Sequence, residues 1–88
     1  MGSPVKVYAV VQNGEIKIEI PVFDVEGRCF SAVMIPIARG DTRLMSHFGQ
    51  HKMGHEVGKT IELAVAACER WVKTNLGQDA AIREKQDT

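Results

Sequence analysis

The 88-residue sequence predicts a single α+β domain, in which a three-stranded antiparallel meander packs against one long C-terminal helix. Three observations support this fold class: a hairpin signal between two alternating segments, a third β-rich segment after a glycine turn, and an apolar stripe at helical spacing. A short helix is predicted ahead of the long one. We place the domain at residues 1–77 and expect residues 78–88 to form a polar, mobile tail.

The first two strands are predicted on either side of Asn13-Gly14, a dipeptide typical of two-residue hairpin turns. Apolar residues alternate with polar ones at the start of segment 15–22, segment 5–11 is largely apolar, and directly opposed residues share one face of a sheet. A two-residue turn therefore predicts an inner face that is apolar throughout: Val5, Val7, Ala9, Val11, Ile16, Ile18, Ile20 and Val22. The same register directs Tyr8 to the outer face.

A third strand is predicted at residues 28–38, after a four-residue turn at 24–27. This connection places Cys29, Val33 and Ile35 on the inner face. Phe30 and Met34 then join Tyr8 on the outer face. A strand that is apolar on both faces is either covered on both sides or forms half of an interface, and an edge strand can be extended by a partner chain. Two alternatives stay open: the turn length differs by one residue, or the second helix covers this face.

Residues 40–49 predict a short helix or a loop, with Asp41 or Thr42 as the cap and Gly49 at the end. The long helix is predicted from an apolar stripe at three- and four-residue steps, and it ends at Gly77. The stripe is formed by Met53, Val57, Ile61, Val65, Cys68 and Val72. Leu63 lies opposite this stripe, so we expect an exposed apolar side chain there.

The segment Gly54 to Thr60 resembles a phosphate-binding loop only at first sight. Three residues separate Gly54 from Gly58, whereas the phosphate-binding pattern requires four between its first glycine and Gly-Lys-Thr. The apolar stripe also runs through this segment. We therefore predict no nucleotide site and expect Gly58 to permit a close approach between the helix and the sheet.

Composition and charge narrow the function classes further. The chain has 11 basic and 11 acidic residues, and a net charge of zero is not typical of a protein that binds mainly through the phosphate backbone. No segment approaches the roughly 18 apolar residues of a membrane span, and the N-terminus does not match a signal peptide, so a cytoplasmic protein is expected. Cys29 and Cys68 lie in apolar stretches and are interpreted as small buried hydrophobic residues.

No catalytic, cofactor-binding or metal-binding residues are predicted, and the chain is not expected to be an enzyme. His47, His51 and His55 have a spacing that would align three imidazoles on one helix, but Gly49 and Gly54 interrupt the segment. Acidic residues are spread over solvent-facing positions, and no nucleophile has an evident base. We therefore interpret the histidines as part of a polar connector.

A basic excess occurs between residues 39 and 59, where four basic side chains precede the long helix: Arg39, Arg43, Lys52 and Lys59. Three antiparallel strands followed by Gly58-Lys59-Thr60 at a helix start resemble the C-terminal two-thirds of a double-stranded RNA-binding domain. The resemblance implies phosphate contacts from basic residues at the first turn of that helix.

The sequence thus favours a small non-enzymatic interaction or regulatory module that binds a second copy of itself or another protein. The predicted contact residues are Tyr8, Phe30, Met34 and Leu63. Nucleic-acid binding through the basic 39–59 connector is the alternative, and it would use the four basic residues just named.

Overall fold

The computed structural model describes residues 2–48 and 54–85, and these residues form a five-stranded antiparallel sheet and two helices. The strands are β1 (Lys6–Gln12), β2 (Glu15–Val25), β3 (Cys29–Pro36), β4 (Gly54–Gly58) and β5 (Ala81–Glu84), and the helices are α1 (Thr42–Ser46) and α2 (Ile61–Asn75). The spatial order of the strands is β4-β3-β2-β1-β5. The predicted α+β class is confirmed, but the three-stranded meander is only the centre of a wider sheet.

The predicted hairpin turn between β1 and β2 is present. Asn13 and Gly14 both adopt positive φ angles, of 55° and 74°, as a two-residue turn of this type requires. Val11 pairs with Ile16, as the sequence predicts. The turn chemistry alone therefore sets the first pairs of this hairpin.

The register changes one step beyond the turn. Val10 pairs with Ile18, so Lys17 is an extra residue on β2 and forms a β-bulge. Because a shift of one residue exchanges the two faces of a strand, Tyr8 and Val10 lie on the same face as Ile18. The predicted inner face of β1 is wrong for this reason.

The turn between β2 and β3 is one residue shorter than predicted. Val25 pairs with Cys29, which leaves three residues between them, and the Gly27 N–H donates to the Asp24 carboxylate at 2.8 Å. The faces of β3 are consequently exchanged, with Ala32 on the covered side and Val33 on the outer side.

The predicted outer face of Tyr8, Phe30 and Met34 is therefore wrong. Met34 is only 2% exposed in the core, and the other two side chains are half-buried against it. The bulge accounts for Tyr8, and the alternative in which a turn length differs by one residue accounts for Phe30 and Met34, because an odd shift moves every side chain to the opposite face.

The long helix begins later than predicted. Residues 54–58 form β4, and α2 starts at Ile61, where the Leu63 N–H donates to the Thr60 hydroxyl oxygen at 3.1 Å. The close approach predicted for Gly58 is confirmed. A Cβ atom at this position would lie 2.5 Å from the backbone nitrogen of Ala64, so the strand and the first turn of α2 touch through the glycine.

Residues 81–84, which the sequence places in the polar tail, form β5 and pair with β1. Gly77 has a φ of 127° and follows the end of α2, as predicted. The Lys73 ammonium donates to the backbone carbonyl of Ala80 at 2.9 Å and ties the returning chain to the helix. The connection from β4 through α2 to β5 thus crosses the whole sheet.

Both helices lie on one face of the sheet. The buried side of α2 carries Ala64, Cys68 and Val72, so the predicted stripe is confirmed at Cys68 and Val72. In contrast, Ile61 and Val65 are half-buried and Val57 lies exposed on β4. Trp71 on its flank packs against Phe48, with ring centroids 5.2 Å apart. The core beneath the helices consists of Val10, Ile18, Ile20, Val22, Ala32, Met34, Leu44, Phe48, Ala64, Cys68, Val72, Leu76 and Ala80.

Candidate interaction surfaces

The second face of the sheet, which we call the open face, carries an apolar surface. Strand alternation assigns to it Val7, Ala9, Ile16, Phe23, Val33, Ile35 and Val57. Within residues 2–48 and 54–85, both helices pack on the opposite side. Val57 is 53% exposed and Ile16 is 41% exposed, so this face presents large apolar side chains to solvent. Contiguous apolar surface of this kind marks interaction sites more often than scattered exposed residues do.

The charged side chains of the open face lie on its β1–β5 side and near the bulge of β2. The Lys85 ammonium pairs with the Glu19 carboxylate at 2.8 Å. The half formed by β3 and β4 has only two polar side chains, Ser31 and His55, among its apolar ones. Among residues 2–48 and 54–85, this apolar half therefore carries no carboxylate or ammonium group.

Lys17 at the bulge joins the hairpin to the start of α1. Its ammonium lies 2.7 Å from the Asp41 carboxylate and 2.8 Å from that of Glu15. Hydrogen bonds to Asp41 and then Glu15 raise the pKa of Lys17, and the same contact with Lys17 lowers the pKa of Asp41. Asp41 also caps α1 by accepting the Leu44 N–H at 3.1 Å, so this pair has a structural role.

The four contact residues predicted from the sequence do not form one surface. Leu63 is 56% exposed on α2, as expected, whereas Met34 lies beneath the helices. Tyr8 and Phe30 are half-buried on the covered face. The residues that line the open face, such as the half-buried Val33 and the exposed Val57, have the same apolar character, and only the strand register separates the two sets.

A groove separates α2 from β5 on the covered face, and we call it the α2–β5 groove. It has a volume of about 280 Å³ and is lined by Tyr8, Glu62, Val65, Ala66, Glu69, Ile82, Arg83 and Glu84. The Lys6 ammonium pairs with the Glu84 carboxylate at 3.2 Å at one end. The groove thus combines an apolar floor with carboxylates at its rim.

The predicted basic connector does not form a single patch in the part of the chain described. Arg39 and Arg43 follow the end of β3, whereas Lys59 follows β4, which runs antiparallel to β3. The length of β4 separates these positions by roughly 13 Å or more. Lys52 lies outside the described residues. In addition, the strand β4 lies between β3 and α2, and the strand β5 follows α2. This order differs from the three strands followed directly by a helix, on which the resemblance to a double-stranded RNA-binding domain rests.

The histidines are distributed over different elements. His47 follows α1 and makes an edge contact with Trp71, with ring centroids 6.2 Å apart, while His55 lies on β4. His51 lies outside the described residues. No group of three side chains able to hold a metal ion occurs within residues 2–48 and 54–85.

The two cysteines are free thiols in different surroundings. Cys68 is fully buried on the inner side of α2, as predicted, and burial raises the pKa of its thiol to about 12, with a smaller contribution from Glu56. Cys29 is half-buried at the start of β3 on the open face. A thiol with a raised pKa is a poor nucleophile, so Cys68 fits a packing role.

No protein-family model, curated protein or solved structure matches the chain. Among the helices in the described ranges, none is long and apolar enough to cross a membrane. The surfaces described above are therefore the features from which a function is inferred.

Proposed function

We propose that this chain is a non-enzymatic interaction module that self-associates through the open face of its sheet. The observation that carries the proposal is the apolar surface of β3 and β4, including Val33 and the 53%-exposed Val57, which neither helix covers. Removing such side chains from water stabilises a complex by about 25 cal/mol for each Å² of apolar area. A second copy would provide that burial.

The charge distribution on the open face fits a second copy. In a two-fold dimer the same patch meets itself, so any unpaired charge near the axis would face its own like charge. The β3–β4 half carries no carboxylate or ammonium group on this face, and Glu19 is already paired with Lys85. Two copies can therefore meet through this half without like-charge repulsion.

The size of the open face supports a modest dimer. Strands lie about 4.8 Å apart and rise about 3.3 Å per residue, so the five-stranded face covers on the order of 500 Å² in projection. Stable interfaces bury about 800 Å² of accessible surface per partner. A contact of that size needs the whole open face, so the β3–β4 half would form its apolar centre and the paired Glu19 and Lys85 would lie at its polar rim.

The test is sedimentation velocity over a range of concentrations, on the wild type and on Val33→Glu and Val57→Glu. We expect the wild type to form a dimer and each variant to weaken it by about tenfold to a hundredfold, because a charge replaces a buried apolar contact. Leu63→Glu is the matched control, since it places the same charge at an exposed apolar position on the helix side.

Three results would contradict self-association through the open face. The wild type could remain monomeric at all concentrations, or Leu63→Glu could dissociate the dimer while Val33→Glu does not. The third is a monomer that shifts with a mixed RNA and DNA pool at low salt and loses the shift in Arg43→Gln. That result would support the nucleic-acid alternative instead.

A further inference from the structure

We propose that the α2–β5 groove binds an extended basic segment of another protein that presents two arginine or lysine side chains three residues apart. The groove lies on the helix side of the sheet, so this site is distinct from the open face and does not depend on self-association. Its walls and floor come from three elements, β1, β5 and α2.

The groove exists because α2 lies off the centre of the sheet. The helix packs chiefly against β4 and β3 and touches β5 only lightly. Gly58 draws the first turn of α2 toward β4, as its close approach to Ala64 shows. The β1–β5 margin is left partly uncovered, and there Tyr8 and Ile82 are half-buried beneath open space.

The floor of the groove suits the aliphatic stem of a long cationic side chain. Tyr8, Val65, Ala66 and Ile82 provide apolar contact area, against which lysine and arginine stems pack while their charged ends remain polar. The Tyr8 ring also offers an aromatic surface, and a cation within about 6 Å of such a ring is attracted to it. The Tyr8 hydroxyl makes no hydrogen bond within the described residues, so it is available to a ligand.

The rim of the groove has carboxylates that the described part of the chain does not neutralise. Lys6 pairs with Glu84, but Glu62 and Glu69 form no ion pair within residues 2–48 and 54–85. Arg83 contributes to the edge, and strand alternation directs its side chain toward the open face. Two glutamates on one wall therefore remain to attract an incoming cation.

A cation at the end of this groove is already stabilised. The hydrogen bond to Glu84 raises the pKa of Lys6, and the charge of Glu84 and smaller attractions from Tyr8 and Glu62 act in the same direction.

Glu62 and Glu69 are seven residues apart on the helix, or about 10.5 Å. A polyproline II segment rises about 9.3 Å over three residues, so cations at every third position would match this spacing.

The probe is the peptide acetyl-Ala-Arg-Pro-Pro-Arg-Ala-amide, titrated into the full ¹⁵N-labelled chain and followed by amide chemical shifts. A second peptide with glutamine in place of both arginines has the same length and backbone. We expect the arginine peptide to shift amides around Tyr8, Ala66 and Ile82, and the glutamine peptide to shift none of them. Added salt should weaken the binding, because the rim contacts are exposed ion pairs.

Two variants test the site itself. Glu62→Gln combined with Glu69→Gln should weaken the dissociation constant by about tenfold or more, as loss of charge-assisted contacts does. Ala66→Phe should weaken it without changing the charge, because the ring fills the groove. Glu26→Gln is the matched control, since it removes one exposed carboxylate at the remote β2–β3 turn. Circular dichroism verifies that each variant is folded.

The proposal is overturned if both peptides bind equally, if the shifted amides cluster on the open face, or if they are scattered over the surface. It is also overturned if the Glu62/Glu69 double variant binds as the wild type does, or if Glu26→Gln weakens binding as much as the double variant. Localised shifts that Ala66→Phe abolishes and Glu26→Gln leaves intact would support it.

Discussion

The two faces of the central strands are both apolar, yet they have different surroundings. On the covered face Ile18, Ile20 and Val22 are fully buried under the helices. On the open face, Val33 and Ile35 have comparable side chains but remain half-buried without a helix above them. The apolar character of a strand face therefore indicates that something covers it. Whether the cover comes from the same chain depends on where the helices pack.

Matched charge substitutions on the two faces should produce the largest difference. Ile18→Asp would place a carboxylate in the core with no partner, and we expect it to abolish folding, since burial of an unpaired charge costs several kcal/mol. Val33→Asp on the open face should leave a cooperative thermal transition. Circular dichroism melting curves test this prediction, and a native-like transition for Ile18→Asp would contradict the observed register.

A smaller effect is expected from the two glycines on the covered face of β4. Gly58→Ala should destabilise the fold by about 2–3 kcal/mol, because its Cβ would lie 2.5 Å from the Ala64 nitrogen and the helix would have to move. Gly54→Ala is the matched control in the same strand. Its Cβ would meet the flexible end of Met34 at 3.2 Å and the Phe48 ring at an ordinary 3.9 Å, so a change below about 1 kcal/mol is expected. Urea denaturation of both variants measures the difference, and equal stabilities would contradict the close approach of α2.

The smallest expected effect is a difference in alkylation between Cys29 on the open face and Cys68 in the core. Measuring it requires no substitution. Iodoacetamide at pH 8.5 should label Cys29 in the folded chain and leave Cys68 unlabelled until urea is added, because Cys68 is buried with a raised pKa. Peptide mass spectrometry measures the labelling at each position. Equal labelling of both thiols in the folded chain would show that α2 does not protect Cys68.

The same pKa shift gives a pH dependence of stability. The folded-state pKa of Cys68 is raised from 9.0 to about 12, so the unfolded chain loses this proton first. The contribution of the neutral thiol is therefore complete below pH 9 and is lost as the pH rises toward 12. Cys68→Ala should show a weaker decline in unfolding free energy over this range than the wild type, as urea titrations at each pH would measure.

The contact residues predicted from the sequence depend on a strand register that the structure does not have. The sequence indicates that β3 is apolar on both sides, and the structure shows an uncovered apolar face there. The apolar pattern of β3 does not show which side of the strand the helices cover. The sequence therefore predicts Phe30 and Met34 on the outer face, whereas Val33 and Ile35 lie on the open face of the structure. The α2–β5 groove had no sequence signal, because its lining residues come from three separate segments and Tyr8 lies more than 50 positions before the others.

Features that depend on neighbouring residues are readable directly from the sequence. The Asn13-Gly14 turn requires positive φ angles, which these two residues tolerate. The spacing of Ala64, Cys68 and Val72 follows the period of a helix, and Gly77 permits the backbone conformation after its end. Each of these features arises from interactions within a few residues.

Features that depend on distant pairing were decided by the tertiary structure. The bulge at Lys17 forms where this residue can also reach Asp41, β4 becomes a strand because β3 offers it a partner, and β5 is ordered by pairing with β1. A short segment such as 81–84 has little intrinsic preference for a strand, and its hydrogen bonds are satisfied only when the edge of the sheet is already in place. Strand pairing and the choice of face are therefore properties of the assembled sheet, whereas turns and helix periodicity belong to the local sequence.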